Sequence, residues 1–322
     1  PWMGGRKPNS LTVAGVYNRY NIGYLATSVQ RFEILQGSVG FGTRLKIPDD
    51  NFVFKANADI QQIHLQNYTG FYSPEGSAVT NGRFNNLGLE LTLARNSIND
   101  PLFPKAGSLF SLTSKITPPY SLLGSKKWQS ADLTERYKWV EYVKWRFDAE
   151  WYTTLVGKLV LKASGKMGLL STWNKEVGLS PFERYELGGD GLSNQGAFFN
   201  GREIISSRGY EVGEFRGNGL AGAAVFNKYT VEVRYPISLN PQSTIYALGF
   251  GQASNAWSRG KDWNPFDLKR SAGIGIRVFL PMFGTLGFDY GVGFDKPDLI
   301  ESGTRKLQSY GKFNIILGFE PD

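Results

Sequence analysis

Three groups of residues in this chain spell out possible chemistry, and each requires a particular structural setting. Gly217-Asn218-Gly219-Leu220-Ala221-Gly222 has the spacing of a dinucleotide-binding fingerprint. That fingerprint works only where a strand precedes it and a helix follows, so that phosphate meets the helix N-terminus. Here Val225 and a strand-like run over Tyr229–Tyr235 follow, so the six residues read as loop glycine and imply no cofactor. His64 is the single histidine. A Ser–His pair at the rim of a closed sheet could make a hydrolase. No serine context marks a nucleophile, however, and His64 lies where strand alternation fades, as a surface residue would. Lys144, Arg146, Asp148 and Glu150 share one strand face. They could line an ion path; the plainer reading is a mutually compensating ladder. The chain has no cysteine, which excludes disulfides and thiolate metal sites. No catalytic, cofactor-binding or metal-binding residue is assigned.

The elements that must position these residues are strands. Period-two alternation recurs from end to end, with no long amphipathic helix. Leu87, Leu89, Leu91 and Leu93 alternate with Gly88, Glu90, Thr92 and Ala94. Val143, Trp145, Phe147, Ala149 and Trp151 alternate with Lys144, Arg146, Asp148 and Glu150. Leu286, Phe288, Tyr290, Val292 and Phe294 alternate with Gly287, Asp289, Gly291 and Gly293. One face is apolar and aromatic; the other carries glycine and ionisable groups. The run over 137–152 exceeds an ordinary strand of about 5–6 residues. It suits a tilted membrane strand of about 9–11 residues with an extension beyond the bilayer. No stretch approaches the roughly 18 consecutive apolar residues of a membrane helix.

Twelve strands are expected near 11–20, 36–47, 52–67, 83–96, 106–118, 137–152, 157–173, 223–236, 243–253, 270–281, 284–294 and 309–319. Short turns at 48–50, 99–101, 153–156, 239–241 and 281–284 alternate with long loops at 21–35, 68–82, 119–136, 174–222, 254–269 and 295–308. Tight periplasmic turns opposite long outer loops are the signature of outer-membrane barrels. The fold class read from this is all-β, a transmembrane antiparallel up-and-down β-barrel. Aromatics reach 14% and glycines number 39, in keeping with aromatic girdles and closely paired, bending strands. The net charge of +8 is spread over loops and interior without a basic–aromatic cluster. Nucleic-acid binding is therefore excluded, and attraction to anionic lipid headgroups is expected.

Spaced motifs then carry a resemblance. Pro181-Phe182-Glu183-Arg184-Tyr185-Glu186-Leu187-Gly188-Gly189, Ser207-Arg208-Gly209-Tyr210, and Tyr229-Thr230-Val231-Glu232-Val233-Arg234-Tyr235-Pro236 follow one another. Gly273-Ile274-Gly275-Ile276-Arg277 with Pro281, and Phe313-Asn314-Ile315-Ile316-Leu317-Gly318-Phe319, complete the second half. In the first half, Asp100-Pro101-Leu102-Phe103-Pro104-Lys105-Ala106-Gly107 resembles a periplasmic turn, and Pro1-Trp2-Met3-Gly4-Gly5 an equivalent turn one hairpin earlier. Together these resemble the BamA/TamA outer-membrane insertase superfamily. The chain departs from its pattern at Gln252, where an acidic residue is usual, and at Glu320-Pro321-Asp322, which follow Phe319.

The resemblance implies about sixteen strands, twelve of them here. The first strands and POTRA domains would precede Pro1, and the chain, which carries no signal peptide, would be part of a longer one. Residues 1–322 would form the barrel domain, with 174–222 a long outer loop folded into the lumen. At the tip of that loop Arg208, with Gly209 and Tyr210 and the upstream Gly188 and Gly189, would pair with acidic groups on the inner wall. A guanidinium in a confined polar lumen needs a carboxylate. Glu232 has inward parity, because Val231, Val233 and Tyr235 face lipid, and Asp289 has the same parity. The last strand, with Phe313, Ile315, Leu317, Gly318 and Phe319, would form one side of a lateral seam.

The function implied is non-enzymatic folding and insertion of β-barrels. Its partners would be the outer-membrane bilayer, nascent outer-membrane proteins and accessory assembly lipoproteins. The other readings are a passive channel, a transporter or adhesin, and a TamA-like translocation component.

Overall fold

A computed structural model describes residues 9–22, 29–123, 128, 131–189, 202–215, 217–240, 242–281, 284–296 and 310–318. Twelve of its strands form one antiparallel sheet whose neighbours follow chain order. They are β1 (Asn9–Ile22), β2 (Gln30–Arg44), β3 (Phe52–Gln66), β4 (Gly82–Asn96), β5 (Gly107–Ile116), β6 (Val143–Val156) and β7 (Leu159–Ser171). After a long loop come β10 (Val225–Asn240), β11 (Ser243–Trp257), β12 (Lys269–Leu280), β13 (Gly284–Gly293) and β14 (Gly311–Gly318). Two short strands inside that loop, β8 (Tyr185–Leu187) and β9 (Glu203–Ile205), pair in parallel with each other, so β7 and β10 are sheet neighbours. Among the described residues, β1 and β14 are the two sheet edges.

This is the up-and-down barrel architecture that period-two alternation demands, with every expected strand present. Several ends differ. β6 begins at Val143 rather than 137, because Tyr137, Val140 and Tyr142 turn into an apolar cluster. β2 starts earlier and β11 ends later than expected, since Arg31 to Gln36 pair with β3 and Ser254 to Trp257 pair with β10. The turn expected at 153–156 falls at Gly157-Lys158, where Gly157 takes the left-handed conformation (φ 57°) that tight turns reserve for glycine. Pro236 lies just beyond the β7–β10 ladder, which ends at Arg234, and β10 shifts register between Pro236 and Ser238. A residue without a backbone N–H is tolerated at such a position.

The two faces differ as alternation requires. Along β10, Val231, Val233 and Tyr235 are exposed while Thr230, Glu232 and Arg234 are buried. The exposed apolar rows recur on β1, β2, β4, β6 and β13 and form the lipid-facing surface. The interior has three layers. At the long-loop end, Phe32, Tyr68, Phe71, Phe84, Phe182 and Tyr185 belong to one aromatic cluster that caps the sheet. At the short-turn end, Phe103 packs with Val160, Tyr246, Leu248 and Phe250. Its turn is shaped by Asp100 Oδ1, which accepts from the backbone N–H of Leu102 (2.8 Å) and Phe103 (3.2 Å). Charged side chains fill the layer between the caps.

A lysine at the mid-strand, outward position 231 has to enter hydrocarbon. Val231→Lys is expected to destabilise the barrel by roughly 2–4 kcal/mol in urea unfolding from lipid vesicles. No loss of stability there would contradict the lipid-facing assignment of this row.

Candidate functional site

Short local devices present the loop between β7 and β10 to the wall. Pairing of β8 with β9 continues into a Gly189–Ser207 bridge, and the Gly189 N–H donates to the Tyr210 carbonyl at 2.9 Å. Gly188 has φ 119°, and a Cβ there would lie 2.8 Å from the Glu211 carbonyl carbon, so the reversal admits no side chain. Asn218, inside the supposed dinucleotide fingerprint, clamps the loop base. Its Oδ1 accepts from the Leu187 N–H (3.0 Å), while its Nδ2 donates to the carbonyls of Leu187 (2.7 Å) and Val212 (2.8 Å). The segment 217–222 is a turn leading into β10, with no helix to receive a phosphate.

These devices set Arg208 against the inner wall. Its Nη2 donates to Glu232 Oε1 at 2.6 Å, and its Nη1 lies 3.6 Å from Asp289 Oδ2. The guanidinium stacks 3.8 Å from the centroid of the Phe250 ring. Each wall carboxylate also has a wall arginine: Arg234 donates to Glu232 Oε2 at 2.8 and 2.6 Å, and Arg277 grips Asp289 in bidentate fashion at 2.6 and 2.8 Å. The result is an alternating row, Arg234–Glu232–Arg208–Asp289–Arg277, supplied by β10, the loop, β13 and β12. The backbone is held too, since the Arg208 N–H donates to Gln252 Oε1 (2.9 Å), whose Nε2 donates to Thr230 (3.1 Å). Gln252, where the related pattern carries an acid, thus positions the loop by hydrogen bonding without adding charge.

Gly209 rests on β13 itself: a Cβ at Gly291 or Gly293 would stand 2.9 Å from the Gly209 nitrogen or 2.8 Å from its carbonyl oxygen. Tyr210 is fully buried; its hydroxyl donates to the Arg270 carbonyl (2.7 Å) and accepts from the Asp295 N–H (2.9 Å).

A family model described as the Omp85 superfamily domain matches residues 8–319. The chain belongs to the Omp85 superfamily. Among solved structures, it is similar to BamA from Haemophilus ducreyi lacking POTRA domains 1–3, at 18% identity and TM-score 0.63, over 90% of this chain and 56% of that one. It is similar also to CdiB from Escherichia coli, at 12% identity and TM-score 0.52, over 90% of this chain and 47% of that one. No curated protein matches it in sequence. The chain spans about half the length of these two structures, and at such identities the likeness is one of fold. The family match makes this an outer-membrane β-barrel of the superfamily, and the fold likeness does not choose a branch.

The Omp85 barrel has a second loop contact, of opposite polarity, on β5 and β6. Glu183 Oε1 accepts from Lys115 Nζ at 2.8 Å and its Oε2 lies 3.5 Å from Lys144. Glu203 pairs with Lys144 at 2.7 Å and with Arg146. Glu183 holds this position at φ 64°, a left-handed conformation that costs a non-glycine residue energy. The expected self-compensating ladder is only partly one: Arg146 does pair with Asp148 (2.9 Å), but Lys144 and Arg146 also take the two loop carboxylates. A cavity of about 570 Å³ lies beside them, lined in part by Lys115, Lys166, Glu90 and Glu150. Sequence reasoning missed Glu183 and Glu203 as wall-binding groups. Their one signal was their place beside glycine-rich loop motifs; their partners lie far away in the chain.

The remaining expected residues divide. On β14, Phe313 and Ile315 face outward, Leu317 pairs with Leu286 and Gly318 with Thr285; Phe319 lies outside the described residues. His64 Nδ1 bonds Glu33 at 3.0 Å, and among the described residues no serine hydroxyl bonds it. No group of three or more acidic or histidine side chains is arranged to hold a metal among the described residues.

Glu232→Gln removes the carboxylate shared by Arg208 and Arg234, and should cost roughly 3–5 kcal/mol in denaturant unfolding. Burial would raise the Glu183 carboxyl, but Lys115 and Lys144 hold it at about 2 against an ordinary 4.5. Its stabilising contribution is therefore complete above 4.5 and disappears as pH falls toward 2. The stability gap between wild type and Glu183→Gln should be widest near neutral pH and close in that acid window; a gap independent of pH there would contradict the pairing.

Proposed function

We propose that this barrel is the membrane part of an outer-membrane protein assembly factor, which folds and inserts other β-barrels without catalysing a covalent reaction. The observation that carries the reading is the alternating charge row centred on Arg208. A diffusion channel does not need a loop-tip arginine held on an interior carboxylate. An assembly factor needs its wall rigid beside an edge strand that is free to exchange partners.

The loop reaches that edge. Asp289, one partner of Arg208, lies on β13 directly opposite Asn314 of β14. Glu211, three residues past Arg208, lies 3.5 Å from Lys312 of β14 itself. Backbone groups of an edge strand have no water to bond within a bilayer, so an edge in lipid strongly seeks another strand. Among the described residues β14 spans eight positions, and Gly311 and Gly318 within it weaken its hold on β13. A client strand adding to this edge by β-augmentation follows from that geometry. The partners in this reading are the bilayer, nascent outer-membrane proteins and accessory assembly lipoproteins.

Arg208→Ala tests the role separately from stability, because Glu232 keeps Arg234 and Asp289 keeps Arg277. Cells depleted of the native protein and supplied with the variant should lose several unrelated outer-membrane barrels together and accumulate unfolded forms. Normal assembly of those barrels, with loss of a single solute or surface activity, would mean a channel, a transporter or an adhesin.

A further inference from the structure

The loop that follows β11 does not extend away from the sheet; it folds back over the lipid-facing side. Asn227 and Asn255 occupy outward positions on β10 and β11, where lipid-facing residues are expected, yet both are buried beneath this loop. Asn255 Nδ2 donates to the Asp267 carbonyl at 2.6 Å. The Trp263 indole Nε1 lies 3.1 Å from the Asn227 side-chain amide, whose oxygen can accept its proton. Two outward polar residues thus tie the 258–268 segment to the outer wall.

Between this segment and the strands is an apolar groove of about 310 Å³, lined by Leu112, Trp145, Phe147, Met167, Leu169 and Trp263. The strand residues are cross-strand neighbours on one outward patch: Leu112 faces Phe147, Phe147 faces Met167, and Trp145 faces Leu169. All lie toward the long-loop end, which in outer-membrane barrels faces outward. Beside its charged residues the loop presents two aromatics: Trp263 is 44% and Phe266 91% exposed. At its turn Arg259 pairs with Asp262 at 3.1 Å, which leaves Lys261 as the exposed cation of that turn.

We propose that this groove holds one acyl chain of an outer-leaflet lipid, with an anionic headgroup oxygen at Lys261. The surrounding patch belongs to the face that hydrocarbon covers. A tryptophan with its ring in the apolar groove and its N–H bonded inward is matched to the interface. A polypeptide is a poor occupant. β5, β6 and β7 are paired on both sides, so no strand edge is available, and an unpaired backbone in lipid is costly.

The test titrates the intact protein in nonionic micelles with a phospholipid brominated along its acyl chains, and follows tryptophan quenching. Saturable quenching is expected in the wild type, with native mass spectrometry retaining one lipid per chain. Trp263→Phe should remove much of that signal. Gly260→Leu should abolish saturation, because a side chain there points toward Leu169, whose Cδ1 is 4.0 Å from the Cβ position. Circular dichroism checks that the variant keeps its strands; should it not, Met167→Trp fills the groove from the strand side. Quenching that rises without saturation and is equal in wild type and the filled variant would overturn the proposal, leaving only non-specific annular lipid. So would a co-purifying polypeptide that protects Trp263 in place of lipid.

Discussion

Charge cannot be buried inside a sheet-walled interior unless opposite charge meets it at hydrogen-bond distance, and most of this structure follows from that constraint. Arg208 enters an environment already holding two arginines, Arg234 and Arg277, and is tolerated because Glu232 and Asp289 stand between the three cations. The row alternates in sign along its whole length, so each carboxylate screens two guanidiniums. Arginine suits the task better than lysine would: its planar fork addresses two carboxylates on different strands while its face rests on Phe250. The glycines of β13 admit the loop backbone at the depth this geometry requires.

The same constraint operates in reverse polarity on β5 and β6. There the strands supply the cations and the loop supplies Glu183 and Glu203. A loop held by a cation at β10 and β13 and by anions at β5 and β6 seats in one orientation, because exchanging the two contacts would set like charges against each other. The aromatic cap at the long-loop end and the Phe103 cluster at the short-turn end flank this layer, and where its pairs are buried the low local dielectric raises the cost of breaking one. The loop contacts β10, β11, β12 and β13 and, through Glu211, the last strand as well. A change in its seating therefore has a direct physical route to the sheet edge.

The outer surface obeys the complementary rule. At Asn227 and Asn255 polar side chains on the lipid-facing side are covered by protein, and the covering segment turns Trp263 and Phe266 outward. The outer wall is thus apolar rows over most of its area, with a strapped loop and a groove at one place near the interface.

The sequence by itself determined the strands and the direction of each strand side chain, because period-two alternation is a local property of extended backbone in a two-faced environment. That is why Glu232 and Asp289 could be assigned inward, and Val231 outward, from the letters alone. The motif spacing around Gly188, Gly189 and Arg208 likewise marked the loop. What only the tertiary structure decided is which loop group meets which wall group. Glu183 and Lys115 are 68 residues apart, Arg146 and Glu203 are 57 apart, and nothing in either neighbourhood encodes the other. The fold-back of the 258–268 segment is of the same kind, since Asn227 reads as an ordinary strand residue and Asn255 as a loop residue until the sheet pairs them beneath Trp263. Such contacts depend on how the whole sheet curls and how long loops close over it. That is a balance of many distant interactions, and no short stretch of sequence contains it.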